Sequence, residues 1–196
     1  MVSTDKATRA ELLRDDPAAI SAYLTEIFKE NKIGPIRDGL SAVMQAQNVQ
    51  MLARDAGLRR DTLYRTFGGR TDPQLSRVLK LFKALNVRAG ISSTSGGDGS
   101  ELVAARLCQA FATNNPADAI QGLSSVVKAQ NVTALALSLG IQRTTVYKTF
   151  GGSVDPQLGR VLNLFSTLQL RFAVEALPTL ARPPRPILGR PRKVHS

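Results

Sequence analysis

Apolar residues recur along this chain at intervals of three and four. Leu75, Val78, Leu79, Phe82 and Leu85 form one such stripe, and Leu158, Val161, Leu162, Phe165 and Leu168 form another. That spacing lines one face of an α-helix and turns it toward a core. No stretch alternates convincingly at period two, so the pattern predicts helices and no strands. Helix starts are marked at Asp16-Pro17, Asp72-Pro73, Asn115-Pro116 and Asp155-Pro156. The Asp or Asn oxygen accepts from a free N–H of the first turn, while proline stands where no N–H is needed. These signals predict helices near 17–31, 35–47, 49–56, 60–67 and 73–86 in the first half of the chain.

The second half repeats the first. Residues 39–88 align with 122–171 at a constant offset of 83, without a gap, and 29 of the 50 pairs are identical. Ala46-Gln47-Asn48-Val49 matches Ala129-Gln130-Asn131-Val132, Phe67-Gly68-Gly69 matches Phe150-Gly151-Gly152, and Leu24 and Phe28 face Leu107 and Phe111. Two copies of one fold follow. The expected fold class is all-α, with two tandem five-helix modules, each containing a helix-turn-helix. Residues 17–90 make the first module, 91–100 a flexible linker, 101–173 the second module and 174–196 a disordered basic tail. The linker, Ser92 to Ser100, is rich in glycine and serine. Its glycines are not a phosphate loop, since no Gly-Lys-Ser/Thr follows and no strand precedes.

The third and fourth helices of each copy carry the candidate chemistry. Leu52-Ala53 sits on the first of them, Gly57 in the turn and Leu63 on the second; the other copy offers Leu135-Ala136, Gly140 and Val146. A small alanine lets two helices cross closely, and glycine takes a positive φ at little steric cost. A helix-turn-helix enters the major groove by the N-terminal end of its second helix. Arg59, Arg60, Thr62 and Arg65 in copy one, and Gln142, Arg143, Thr145 and Lys148 in copy two, then face DNA. Arginine reads guanine bidentately and glutamine reads adenine; a solvated polar helix face is the bland alternative. The rings of Tyr64 and Tyr147 are expected in the core. Gln47-Asn48 and Gln130-Asn131 either position a phosphate or cap the first motif helix.

Residues 53–64, Ala-Arg-Asp-Ala-Gly-Leu-Arg-Arg-Asp-Thr-Leu-Tyr, with Gly69 and Pro73 beyond them, resemble the helix-turn-helix antidote (antitoxin) proteins of addiction modules. Copy two keeps Ala136, Gly140, Arg143 and Tyr147 but has Leu137 and Val146 at two of the matching positions. The resemblance implies DNA binding, autoregulation of an operon and a protein toxin partner. Tandem duplication and a long basic tail are departures from the family's usual single module.

Charge strengthens the DNA reading. The chain has 196 residues and a net charge of +11: the first module holds +6, the second +3 and the tail +4, offset by −1 in the first 17 residues and −1 in the linker. Such a balance favours polyanionic partners through counterion release. In the tail, Gly189-Arg190-Pro191 followed by Arg192-Lys193 resembles the core of an AT-hook, an arm for A·T-rich minor grooves; a nonspecific polybasic tail is the other reading. The single histidine, His195, and single cysteine, Cys108, leave no His-based triad or Cys-based zinc site. No enzyme, cofactor or metal is expected, and Cys108 is expected as a small buried thiol. With no signal peptide and no run of about 18 apolar residues, a cytoplasmic protein without a membrane span is expected. The expected reading is a sequence-specific regulator whose modules act as an intramolecular pseudo-dimer on double-stranded DNA. The alternative is an antitoxin that neutralises a toxin; further homodimerisation stays open.

Overall fold

A computed structural model of the chain describes residues 8–178. Copy one comprises α1 (Pro17–Phe28), α2 (Ile33–Ala46), α3 (Val49–Asp55), α4 (Arg60–Phe67), α5 (Leu75–Ala84) and β1 (Val87–Ser93). Copy two repeats the order with α6 (Asp98–Phe111), α7 (Pro116–Ala129), α8 (Val132–Ser138), α9 (Arg143–Phe150), α10 (Leu158–Thr167) and β2 (Leu170–Ala176). The expectation of an all-α fold of two five-helix modules is therefore corrected: each copy ends in a strand, and the two strands pair antiparallel. The alternation is short but present. Val87, Ala89 and Ile91 are buried on β1, as are Leu170, Phe172 and Val174 on β2.

The pairing is symmetric about equivalent residues. Gly90 sits opposite Ala173, its own counterpart in the repeat, and the register runs from Val87↔Ala176 to Ser93↔Leu170. Gln74 bridges Gln157, again its counterpart. Leu75 N–H donates to Pro156 O and Leu158 N–H to Pro73 O, both at 2.8 Å. A pseudo-two-fold axis thus relates the copies, and the register is that of an isologous dimer inside one chain.

The copies also exchange packing. Helix α1 of copy one covers β2, where Thr25 Oγ1 donates to Val174 O at 3.0 Å and accepts from Val174 N–H at 2.9 Å. On the other side α6 covers β1, and Cys108 Sγ makes the same pair of bonds with Ile91 O and N–H at 3.0 Å. Cys108 is half-buried and bonds the strand, not merely packed as a thiol. Asn31 and Asn114, both with φ near +51°, complete the cover. Asn31 Nδ2 donates to Leu170 O at 2.8 Å, and Asn114 Nδ2 to Val87 O at 2.7 Å. A two-stranded ribbon with bare edges is marginal in water and invites further pairing; here each outer edge is occupied.

One core runs through both copies. Phe172 lies 5.1 Å from Phe28, 5.8 Å from Phe111 and 4.8 Å from Phe165, ring centroid to ring centroid. Its counterpart by the repeat is Ala89. The segment expected as a flexible linker, 91–100, contains the end of β1 and the first turn of α6. Thr94 to Gly97 alone lie between the two elements, and Ser93 Oγ meets Ser100 Oγ at 2.7 Å across them.

Two helix starts behave as expected. Asp16 Oδ1 accepts from Ala18 and Ala19 N–H ahead of α1, and Asn115 Oδ1 from Ala117 N–H ahead of α7. The other two are exchanged between copies. Asp155 Oδ1 accepts from Ser76 N–H at 3.1 Å, in the first turn of α5. Asp72 accepts from Gly159 N–H at 3.0 Å, in the first turn of α10. Each carboxylate caps the helix of the opposite copy.

Candidate nucleic-acid interface

In copy one, α3 ends at Asp55 and α4 begins at Arg60, with Gly57 between them at φ +61°. Leu58 N–H donates back to Ala53 O at 2.9 Å, which closes the turn. Leu52, Ala53, Leu63 and Phe67 are buried and hold the two short helices together. Copy two reproduces the unit with Gly140 at φ +64° and an Ile141 N–H to Ala136 O bond of 3.0 Å. There Leu135, Ala136, Val146 and Phe150 are buried. A Cβ at Gly57 or Gly140 would meet nothing within 4 Å, so the demand for glycine is conformational and not steric.

The polar residues singled out from the sequence lie on the outer side of this unit. Arg59, Arg60 and Arg65 are exposed and Thr62 is half-buried; Gln142, Arg143 and Lys148 are exposed and Thr145 is half-buried. Arg59 is the N-cap residue of α4 and Gln142 that of α9, so both sets begin at a helix N-terminus. Arg59 Nη2 lies 3.8 Å from the Asp61 carboxylate, between two side chains that are almost fully in water, where such a pair contributes little. Arg190, Arg192 and Lys193 of the AT-hook-like tail lie outside the described residues.

Two expectations about neighbouring residues are settled by the geometry. Asn48 and Asn131 are helix caps: Asn48 Oδ1 accepts from Met51 N–H at 3.3 Å, and Asn131 Oδ1 from Thr133 and Ala134 N–H at 3.1 Å. Gln47 is buried and ties α2 to the N-terminal segment, its Nε2 donating to Leu13 O at 2.7 Å. The tyrosine rings, expected in the core, are outside it. Tyr64 is 43% exposed and Tyr147 40%, and the Cζ atoms of Arg60 and Arg143 stand 5.7 and 5.8 Å from their centroids. Leu63 and Val146 fill the core position, which leaves the next residue on the helix pointing out.

The copies differ around this shared frame. Leu137, 84% exposed, stands where copy one has Arg54, and Gln142, Thr144 and Lys148 stand where copy one has Arg59, Asp61 and Arg65. Among the described residues no cluster of His, Cys, Asp and Glu is arranged to hold a metal ion, and no helix is long and apolar enough to cross a membrane.

The family described as "Probable addiction module antidote protein" matches this chain twice, over residues 4–93 and 94–176. The chain belongs to that antidote family. Each match ends where a strand ends, at Ser93 and at Ala176, so the family unit in this chain includes the strand. An uncharacterized protein of Haemophilus influenzae is 39% identical over 69 residues, which are 35% of this antidote-family chain and 71% of that protein. No solved structure matches. Membership of an antidote family implies a protein toxin as partner.

Proposed function

We propose that this chain is an antidote that neutralises a protein toxin and represses its own operon by binding DNA with both copies at once. The match of the antidote family to both copies carries the first half of the reading. Exposed Arg59 and Arg60 at the N-terminal end of α4, and exposed Gln142 and Arg143 at that of α9, support the second, because groove-reading helices present such residues there. In this reading α3–α4 and α8–α9 act as helix-turn-helix units. The pseudo-two-fold axis suits two half-sites on one face of a duplex, which an ordinary regulator reaches by dimerising.

The test of the antidote role is co-expression with the small proteins encoded beside it. Growth arrest by one of them, relieved by this chain and accompanied by a stable complex, is the expected result. Relief by none of them removes the antidote role. DNA binding is tested on the promoter of the same operon, where one chain per site is expected. The basic tail is expected to neutralise further phosphates. Removal of 182–196 then lowers the slope of log K against log salt by about 0.9 for each phosphate the tail had neutralised, and an unchanged slope excludes the tail from the interface.

The tandem fusion favours a second reading, a regulator of many operons that keeps the family's DNA-binding unit without a toxin. Bound sites scattered through the genome, none beside a toxin gene, would distinguish it.

A further inference from the structure

Tyr64 and Tyr147 are large rings that core packing does not account for, and each carries an arginine over its face. Helical side chains lean toward the N-terminus, so a ring at position i+4 slides beneath the residue at i. The same pair stands in both copies while its exposed neighbours have changed: Arg59 to Gln142, Asp61 to Thr144 and Arg65 to Lys148. A feature kept through that divergence belongs to what the two copies do alike.

We propose that Tyr64 and Tyr147 are positioning residues for DNA recognition, each holding the guanidinium of Arg60 or Arg143 flat so that it meets a base edge already oriented. This rests on the DNA-binding reading above. An exposed arginine has several free rotors, and ordering them only on binding weakens the complex. The ring, its centroid 5.7 Å from Arg60 Cζ and 5.8 Å from Arg143 Cζ in the two copies, attracts the cation through its quadrupole. The in-plane N–H donors stay open, and these are the groups that pair with guanine O6 and N7. The phenol hydroxyl takes no part.

Duplexes enriched by the wild-type chain from a random-sequence pool supply the preferred site. Replacing both rings, Tyr64→Leu with Tyr147→Leu, is expected to lower the ratio of preferred-site to random-DNA affinity about two- to five-fold per half-site. The salt slope stays the same, because no charge is removed. Tyr→Phe at both positions keeps the ratio, and Tyr→Trp keeps or raises it even where the leucine variant folds poorly. An unchanged ratio in the leucine variant overturns the proposal. Equal loss in the phenylalanine variant also overturns it and assigns the effect to the hydroxyls. No enrichment of any sequence by the wild-type chain sinks the DNA reading itself, a separate failure visible before any variant is made.

Discussion

Arg60 and Arg143 occupy the first position of α4 and α9, exposed and identical in both copies. Arg60→Ala or Arg143→Ala is expected to weaken binding to the preferred duplex by roughly 1–3 kcal/mol and to random DNA by less. Equal losses on both duplexes, measured by titration, would make them phosphate contacts. A second residue-scale prediction concerns the strand edges. Asn114 is buried, donates to Val87 O and accepts from Ala89 N–H at 3.2 Å. Asn31 donates to Leu170 O, and its Oδ1 has no partner. Removing either asparagine leaves strand groups unsatisfied, at about 1–3 kcal/mol for each. Chemical denaturation should therefore find Asn114→Ala less stable than Asn31→Ala; the reverse order would contradict this account. The tyrosines show where residue-level reading stops. Aromaticity suggested the core, yet the helical phase set by Leu63 and Val146 put the rings outside.

At the scale of elements, the Asp-Pro signals at 72–73 and 155–156 were legible as caps, but their targets were not. A capping pattern says that an acceptor is available, and only proximity decides which helix receives it. Because the caps are exchanged, Asp72→Ala should loosen the start of α10, not of α5. Amide hydrogen exchange is expected to rise at residues 158–161 and stay unchanged at 75–78, with a loss of about 1 kcal/mol overall. Faster exchange at 75–78 alone would show that each carboxylate caps its own helix. The strands were missed for a related reason. β1 and β2 have seven residues each, and four in β1, Ala89, Gly90, Ser92 and Ser93, lack large side chains. Alternation in Leu170, Phe172 and Val174 was present, but a short run carries little weight until a partner strand is known.

For the whole molecule, the exchanged strands and caps mean that neither copy closes its own core. Phe172 meets rings from both copies, and its counterpart by the repeat is the small Ala89. Phe172→Ala should cost roughly 3–5 kcal/mol, and unfolding should remain a single transition seen equally by probes in either copy. Two separate transitions would mean independent modules. Large against small also sets partner choice. Fragments 1–95 and 96–196, mixed, should combine with each other more tightly than with themselves, since Ala89 against Ala89 leaves a cavity and Phe172 against Phe172 overfills the site. Sedimentation showing tight self-dimers of either fragment would refute this.

From the sequence alone came the duplication, the position of the helices from Pro17 onward, the glycine turns and the polar residues on the outer side of α4 and α9. These depend on interactions within about four residues, which helical period and capping chemistry record directly. What only the tertiary structure decided is how the copies join. A repeat offset of 83 residues is equally compatible with two separate domains on a linker and with one interlocked pair. The choice belongs to contacts between distant residues: the strand register about Gly90 and Ala173, the caps Asp72 and Asp155, and the Thr25 and Cys108 covers. Each copy's sequence supplies one half of every such contact, and the other half lies beyond the reach of any local pattern.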